Sequence, residues 1–214
     1  MQELSRRERE QLRKREEILK AALSVFARNG YHGATMAQIS QSSEYPLGTI
    51  YKFFPGKEQI YHELVMGKGR ELGQILLEIS GDKGLGPMER IRKSLVGNAG
   101  FFVRNKEFIR IYISGKSHVD APLLTNFHKS VNKMHDKMIN LYSNLFQEGI
   151  DAGEFMAYPA REMATLFSGV VNASIWAWLA EKEADGELAN RLDRAFTIFT
   201  GGICVDGKVK QPVF

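Results

Sequence analysis

The sequence predicts an all-helical protein in two parts: a three-helix N-terminal domain built around a helix-turn-helix, and a larger helical bundle behind it. Three observations carry this. Residues Thr35 to Glu58 read as two short helices about a tight turn, followed by the capped start of a third. Proline is scarce, at 6 residues, and extended alternation of β-branched side chains is absent. Hydrophobic residues fill 43% of 214 positions, enough for a real core, so disorder is expected only at the ends.

The first helix is expected from about Glu10 to Arg28, with Ile18, Ala21, Ala22, Val25 and Phe26 forming one apolar stripe. Asn29-Gly30 should end it, glycine being the usual left-handed terminator. Just ahead of it crowd Arg6, Arg7, Arg9, Arg13, Lys14 and Arg15, interleaved with Glu8, Glu10, Glu16 and Glu17. Net charge is +4 overall, and this arm is the place where phosphate contact is expected. Thr35 followed by Gln38 is a capping-box pattern opening the next helix. Pro46 sits where a first-turn proline is tolerated, because its missing N–H would be unpaired there anyway. Leu47 to Phe54 then forms the second helix of the motif, which Pro55 ends. Gly56 is an acceptable N-cap for a long linking helix from Lys57 towards Ile79. The helix-turn-helix part is therefore drawn at residues 1–56, with the motif at about 35–54, and the remaining helical part at 57–214.

Beyond the loop Ser80 to Pro87, helices are expected at about 88–103, 107–114, 123–151, 161–180 and 188–201, punctuated by Pro122, Gly153 and Pro159. The loop has glycines but no GK[ST] ending and no strand before it, which rejects a phosphate-binding loop. Gly67, Gly69 and Gly73 interrupt the linking helix, and close packing against a neighbour is the plain reason. Met163 to Ala180 carries no charge and nearly reaches membrane-spanning length. Its Thr165, Ser168, Asn172 and Ser174 argue instead for a helix buried by its own domain and by a partner subunit.

The stretch Phe26-Ala27…Gly30-Tyr31…Gly33-Ala34-Thr35, with Ile39, Gly48-Thr49-Ile50-Tyr51 and Phe53-Phe54-Pro55-x-Lys57-Glu58, resembles the tetracycline-repressor (TetR/AcrR) family of bacterial regulators. The resemblance is strong over roughly the first third of the chain; the rest agrees in length and helical layout. Two positions depart from the family pattern. Ser43-Glu44 stands where the family has a small residue and glycine in the turn, and Pro46-Leu47 where it has serine or a basic residue. These touch base preference, not the fold.

For DNA, Thr35 and Lys57 each combine a polar side chain with a helix N-terminus, a natural phosphate seat. The resemblance implies that Tyr51 offers its hydroxyl to the backbone and that Lys52 meets phosphate or base. Gly48 lets the duplex approach closely, Thr49 can touch a thymine methyl, and Pro46 and Leu47 stand at the usual base-reading end. Ile50, Phe53 and Phe54 are expected to hold the helix on its domain.

The resemblance also implies a second domain that recognises something small. Phe101, Phe108, Tyr112, Phe127, Met134 and Met138 recur at helical spacing and together suit an apolar cavity, with Asn172 and Trp176 completing the candidate lining. Gly169, Ala173 and Ala177 form a face with little side-chain bulk, and Leu192, Phe196 and Phe199 stripe the last helix; this pair makes an expected homodimer interface. Trp176 and Trp178 lie roughly 200° apart around their helix, so one meets the core or pocket and the other the partner.

Catalytic readings find no support. His128 and His135 are two turns apart, too far for one metal ion, and no nucleophile–base set can be proposed. Cys204 is a single cysteine, which suits a reducing cytosol and excludes an intramolecular disulfide. With the resemblance, the sequence implies a cytoplasmic, nucleoid-associated, homodimeric DNA-binding regulator, a repressor that responds to a small, largely apolar effector and uses no cofactor. Its partners would be a palindromic double-stranded operator, the effector and a second copy of itself, with no membrane. The alternatives are a constitutive DNA-binding protein without effector, and a helical enzyme or carrier.

Overall fold

A computed structural model describes residues 4–116 and 125–202, with side chains described throughout except at 112–116 and 125–128. The described residues form nine helices and no strand: α1 Arg6–Gly33, α2 Met36–Ser43, α3 Leu47–Phe53, α4 Lys57–Ser80, α5 Pro87–Arg104, α6 Lys106–Lys116, α7 Thr125–Asp151, α8 Ala160–Ala180 and α9 Glu187–Gly201. The all-helical prediction holds, and the helix ends agree to within a few residues except at α1.

That helix begins four residues before the expected Glu10. Ser5 caps it: its hydroxyl accepts from the Glu8 backbone N–H at 3.3 Å, and the Glu8 carboxylate takes the Ser5 N–H at 2.8 Å. The basic cluster thus lies inside the helix rather than ahead of it. At the far end Gly30 adopts φ +68°, kinking the chain as a left-handed glycine does, and one further turn follows to Gly33.

The chain divides into two compact units, the first made of residues up to Lys68 with 105–131, the second of 69–104 with residues from Asn132 onward. In the first, α1 packs on α2 and on α6. Its core is Ile18, Ala22, Val25 and Phe26 of α1, Ile39 of α2, Ile50 and Phe54 about α3, and Ile60 and Tyr61 of α4, all at least 97% buried. Phe26, Tyr31 and Tyr61 close it with ring centroids 5.0 to 5.9 Å apart. Burial, then the neighbouring Glu58 carboxylate, pushes the Tyr31 phenol well up, so it stays protonated.

In the second unit α9 packs on α5 and α8. An aromatic stack runs through it: Phe146 lies 5.8 Å from Phe167 and 6.0 Å from Phe199, and Phe167 lies 6.2 Å from Phe196. Gly69 earns its place by close packing, since a Cβ there would stand 1.7 Å from the Met134 sulfur. Gly73 faces open space, so packing does not explain it.

Helix α8 is long and apolar enough to cross a membrane by length and composition, with mean hydropathy 1.4 over an 18-residue window. Only 39% of that window is buried, all of it on one face: Met163, Ala164, Phe167, Val171, Ser174, Ile175 and Trp178. The near-complete burial expected of it is not reached within one chain.

Candidate nucleic-acid interface

Helix α3 has only 7 residues, too few to stand on propensity alone. It is held by anchors. Ile50 and Phe54 are wholly buried, and the Phe54 N–H bonds the Ile50 carbonyl at 2.9 Å to close the last turn. Opposite these anchors Pro46, Leu47, Gly48, Tyr51 and Lys52 are exposed, with Thr49 half-buried between them. Five of the eight residues expected at DNA are therefore exposed on and beside α3, away from its buried anchors.

Helix α2 is placed by the capping box its sequence announced. The Gln38 N–H donates to the Thr35 hydroxyl at 3.2 Å, and the Thr35 N–H donates to the Gln38 side-chain oxygen at 2.9 Å. Thr35 is exposed, and its hydroxyl proton remains able to reach a phosphate oxygen while its lone pair caps the helix. The turn to α3 passes through Glu44 at φ +59°, a left-handed backbone that an L side chain adopts only at a cost. Here glycine belongs, as in the family pattern. Glu44→Gly is expected to raise stability by about 1 kcal/mol in urea unfolding, and an unchanged midpoint would contradict the strain. Next to it the Tyr45 hydroxyl donates to Glu17, fastening the turn to α1 and raising the phenol's pKa.

Two further fastenings escaped the sequence. Arg15 of α1 donates through Nε to Glu63 of α4 at 2.7 Å and through Nη2 to the same carboxylate, while Nη1 reaches the Phe53 carbonyl at 3.3 Å. Its guanidinium also lies 4.5 Å above the Phe54 ring. One side chain thus ties α1, the end of α3 and α4. The partners are 48 residues apart, with no local spacing to reveal them.

Lys57 is turned inward in this structure. It was expected at phosphate, but its ammonium donates to the carbonyls of Tyr31 at 3.1 Å, His32 at 3.2 Å and Ala34 at 3.0 Å, over the Tyr31 ring. An ammonium has three donors, and all three are engaged. Its role is to satisfy the open carbonyls at the end of α1.

The model of the bacterial regulatory proteins of the tetR family matches residues 18–64, from the first fully buried residue of α1 to one position beyond Glu63. The whole helix-turn-helix and its anchors fall inside that span. Similarity continues beyond it. The HTH-type transcriptional regulator YxaF of Bacillus subtilis is 28% identical over 170 residues, covering 79% of this chain and 86% of that protein. The transcriptional repressor KstR of Rhodococcus jostii is 24% identical over 191 residues, covering 89% and 84%. The chain belongs to the TetR family. Its fold extends the likeness to the regulator FadR of Bacillus subtilis, solved with stearoyl-CoA: the TM-score is 0.71 at 19% identity, over 87% of this chain and 98% of that one. As a TetR-family protein it is a DNA-binding regulator of transcription.

The second part of this TetR-family chain treats its expected sites less evenly. Tyr112 and Phe127 lie outside the described side chains. Of the other candidates for a pocket, Phe101 is buried in the second unit and Phe108 in the first. Met134 is half-buried and packed at Gly69, Met138 is half-buried, and Asn172 is exposed. Trp176 is 48% exposed, whereas Trp178 is wholly buried and donates its indole N–H to the Ala184 carbonyl at 3.1 Å. Periodicity marks burial without saying what is buried against what. A cleft of about 410 Å³ does open between the end of α4 and α7, but Leu77, Ser80, Lys137, Asn140, Leu141 and Asn144 line it, with none of the expected residues.

The dimer candidates also divide. Leu192 and Phe196 are buried in their own unit and Phe199 belongs to its aromatic stack, 5.6 Å from Phe167. Their stripe serves the chain's own core, which corrects the expected α9 interface. Gly169 and Ala173 are exposed, and Ala177 is half-buried.

Proposed function

We propose that this regulator is a homodimeric repressor, released from a palindromic operator by a small, largely apolar effector in a bacterial cytoplasm, where it would associate with the nucleoid. The observation that carries the reading is the outward strip of α3, a helix pinned from behind by Ile50, Phe54 and Arg15 while Leu47, Gly48, Tyr51 and Lys52 face solvent. A rigid helix with a flat, small-residue centre and a lysine at its end suits the major groove. The repressor KstR among its relatives, and the complex of FadR with stearoyl-CoA, support repression and an effector with an apolar body.

Dimerisation is supported by the open face of α8. Leu166 is 64% exposed and Trp176 48%, with Gly169, Asn172 and Ala173 between them, and Ile198 of α9 is 79% exposed. A stripe of large apolar and very small residues on adjoining helices is the composition of a helix-on-helix interface. Trp176→Glu is expected to convert the dimer to monomer in sedimentation equilibrium with the helical circular-dichroism signal unchanged; a dimer of unchanged affinity would exclude this face.

Two-fold symmetry makes half-sites roughly 34–36 Å apart, one helical turn. Effector and operator would oppose each other through different affinities for two states, and the coupling must be reciprocal. Hydroxyl-radical footprinting of the upstream intergenic DNA tests the reading. Paired protections one turn apart, lost together in the Trp176→Glu variant, are expected; a single protected patch contradicts the dimer, and none contradicts sequence-specific binding.

A further inference from the structure

In the second unit α5 turns a polar stripe inward. Arg90, Ser94 and Asn98 follow at four-residue spacing, and each is at least 97% buried. Arg90 is held by two neighbours: Nη1 donates to the Ser80 carbonyl at 2.8 Å and Nη2 to the Glu148 carboxylate at 2.5 Å, an ion pair that lowers the Glu148 pKa, while its Nε is buried with no acceptor. Glu148 is shared with Lys83, whose ammonium lies 3.2 Å from the same carboxylate.

The other two residues meet Tyr142 of α7, and here the proton directions can be assigned. The Ser94 hydroxyl lies 2.6 Å from the Ile91 carbonyl, which can only accept, so the serine proton is spent there. Ser94 Oγ must then accept from the Tyr142 hydroxyl at 3.0 Å. Burial pushes the Tyr142 phenol up, so it keeps that proton. With its proton spent, the phenol oxygen accepts from the Asn98 amide nitrogen at 3.2 Å. The amide orientation is therefore fixed, and Asn98 Oδ1 is left buried with no donor. An unmatched buried acceptor of this kind costs about 1–3 kcal/mol. Aromatic rings stand near the network: Tyr142 itself lies 5.0 Å from Phe167, edge to face, and the buried Phe101 follows one turn along α5.

We propose that Asn98 Oδ1 is the polar anchor of the effector site, and that the effector presents to it an uncharged hydrogen-bond donor, a hydroxyl or amide N–H, on an apolar body. This rests on the effector-released reading above and sharpens it. A neutral donor supplies what the network lacks. A carboxylate does not, since at Asn98 Oδ1 it would set one acceptor against another with no proton between them. The site would open by admitting the ligand's apolar part between α5 and α7, beside the Tyr142 ring.

Calorimetry of the free protein tests this without DNA, so its outcome is independent of whether any operator is bound. The probes are n-octanol and its isomer n-heptyl methyl ether, which has the same atoms and no donor. One molecule of alcohol per chain is expected to bind, roughly tenfold tighter than the ether, the worth of one buried hydrogen bond. Asn98→Leu should abolish that preference while leaving binding of the ether; Asn98→Val serves if the leucine variant does not fold. Equal affinity for the two probes, a preference that survives in the variant, or no binding of either probe overturns the proposal.

Discussion

Lys57→Met is expected to destabilise the first unit by about 2–3 kcal/mol while leaving the salt dependence of DNA binding unchanged. Methionine keeps the aliphatic stem over the Tyr31 ring but removes three donors from the carbonyls of Tyr31, His32 and Ala34. Hydrogen bonds from a charged group are worth about 1.5–3 kcal/mol net, and the carbonyls left behind at the end of α1 regain only those contacts that water can reach. Had Lys57 been a phosphate contact, the result would be reversed: stability would hold, affinity would fall, and the slope of log K against log salt would drop by about one unit. Urea unfolding and a salt titration on the same variant therefore separate the two roles. A stable variant with a reduced slope would restore the phosphate reading.

The second large effect belongs to α3. Tyr51→Ala combined with Lys52→Ala is expected to lower operator affinity roughly a hundredfold, each contact at a base or phosphate being worth about 1–3 kcal/mol. Both residues are exposed, and the anchors Ile50 and Phe54 are untouched, so thermal stability should stay within about 0.5 kcal/mol of the parent. Part of the loss should be common to all sequences, from Lys52. Retained affinity in this double variant would move recognition to another face. Arg15 offers a contrast. It touches α3 only through the Phe53 carbonyl and the Phe54 ring, so losing it would disturb the helix's placement and not its contact strip.

Local chemistry explains how much of this was legible beforehand. The capping box at Thr35 and Gln38 and the apolar stripe of α1 are written within a few residues of where they act, and the structure places both as read; Gly30 breaks the helix locally, but α1 resumes to Gly33. The outward strip of α3 was readable for the same reason, since Ile50 and Phe54 mark the inner side of a short helix. Long-range partners were not. Nothing near Lys57 announces carbonyls 23 to 26 residues earlier, and nothing near Arg15 announces Glu63. Periodicity failed in a different way at α9. It correctly marked Leu192 and Phe196 for burial, but the same stripe serves a partner or the chain's own core, and here it is the core. The two tryptophans of α8 show the limit most simply: helical geometry required them to face apart, and only packing assigned Trp178 to the interior and Trp176 to the surface. The aromatic residues taken for a pocket fell to the same ambiguity. The unmatched Asn98 acceptor carries no sequence signature at all, because it is defined by the Tyr142 hydroxyl that meets it from α7.

The central claim, that the outward strip of α3 reads DNA, is tested most directly by fluorescence anisotropy of the labelled upstream intergenic duplex. The titration is run with excess nonspecific competitor and at two salt concentrations. Saturable binding that survives competitor and weakens steeply with salt is the predicted result, since phosphate contacts release counterions while base contacts resist competition. Binding no tighter than to the competitor itself would contradict it, leaving a helix-turn-helix whose Pro46, Leu47 and Tyr51 face solvent without reading a sequence.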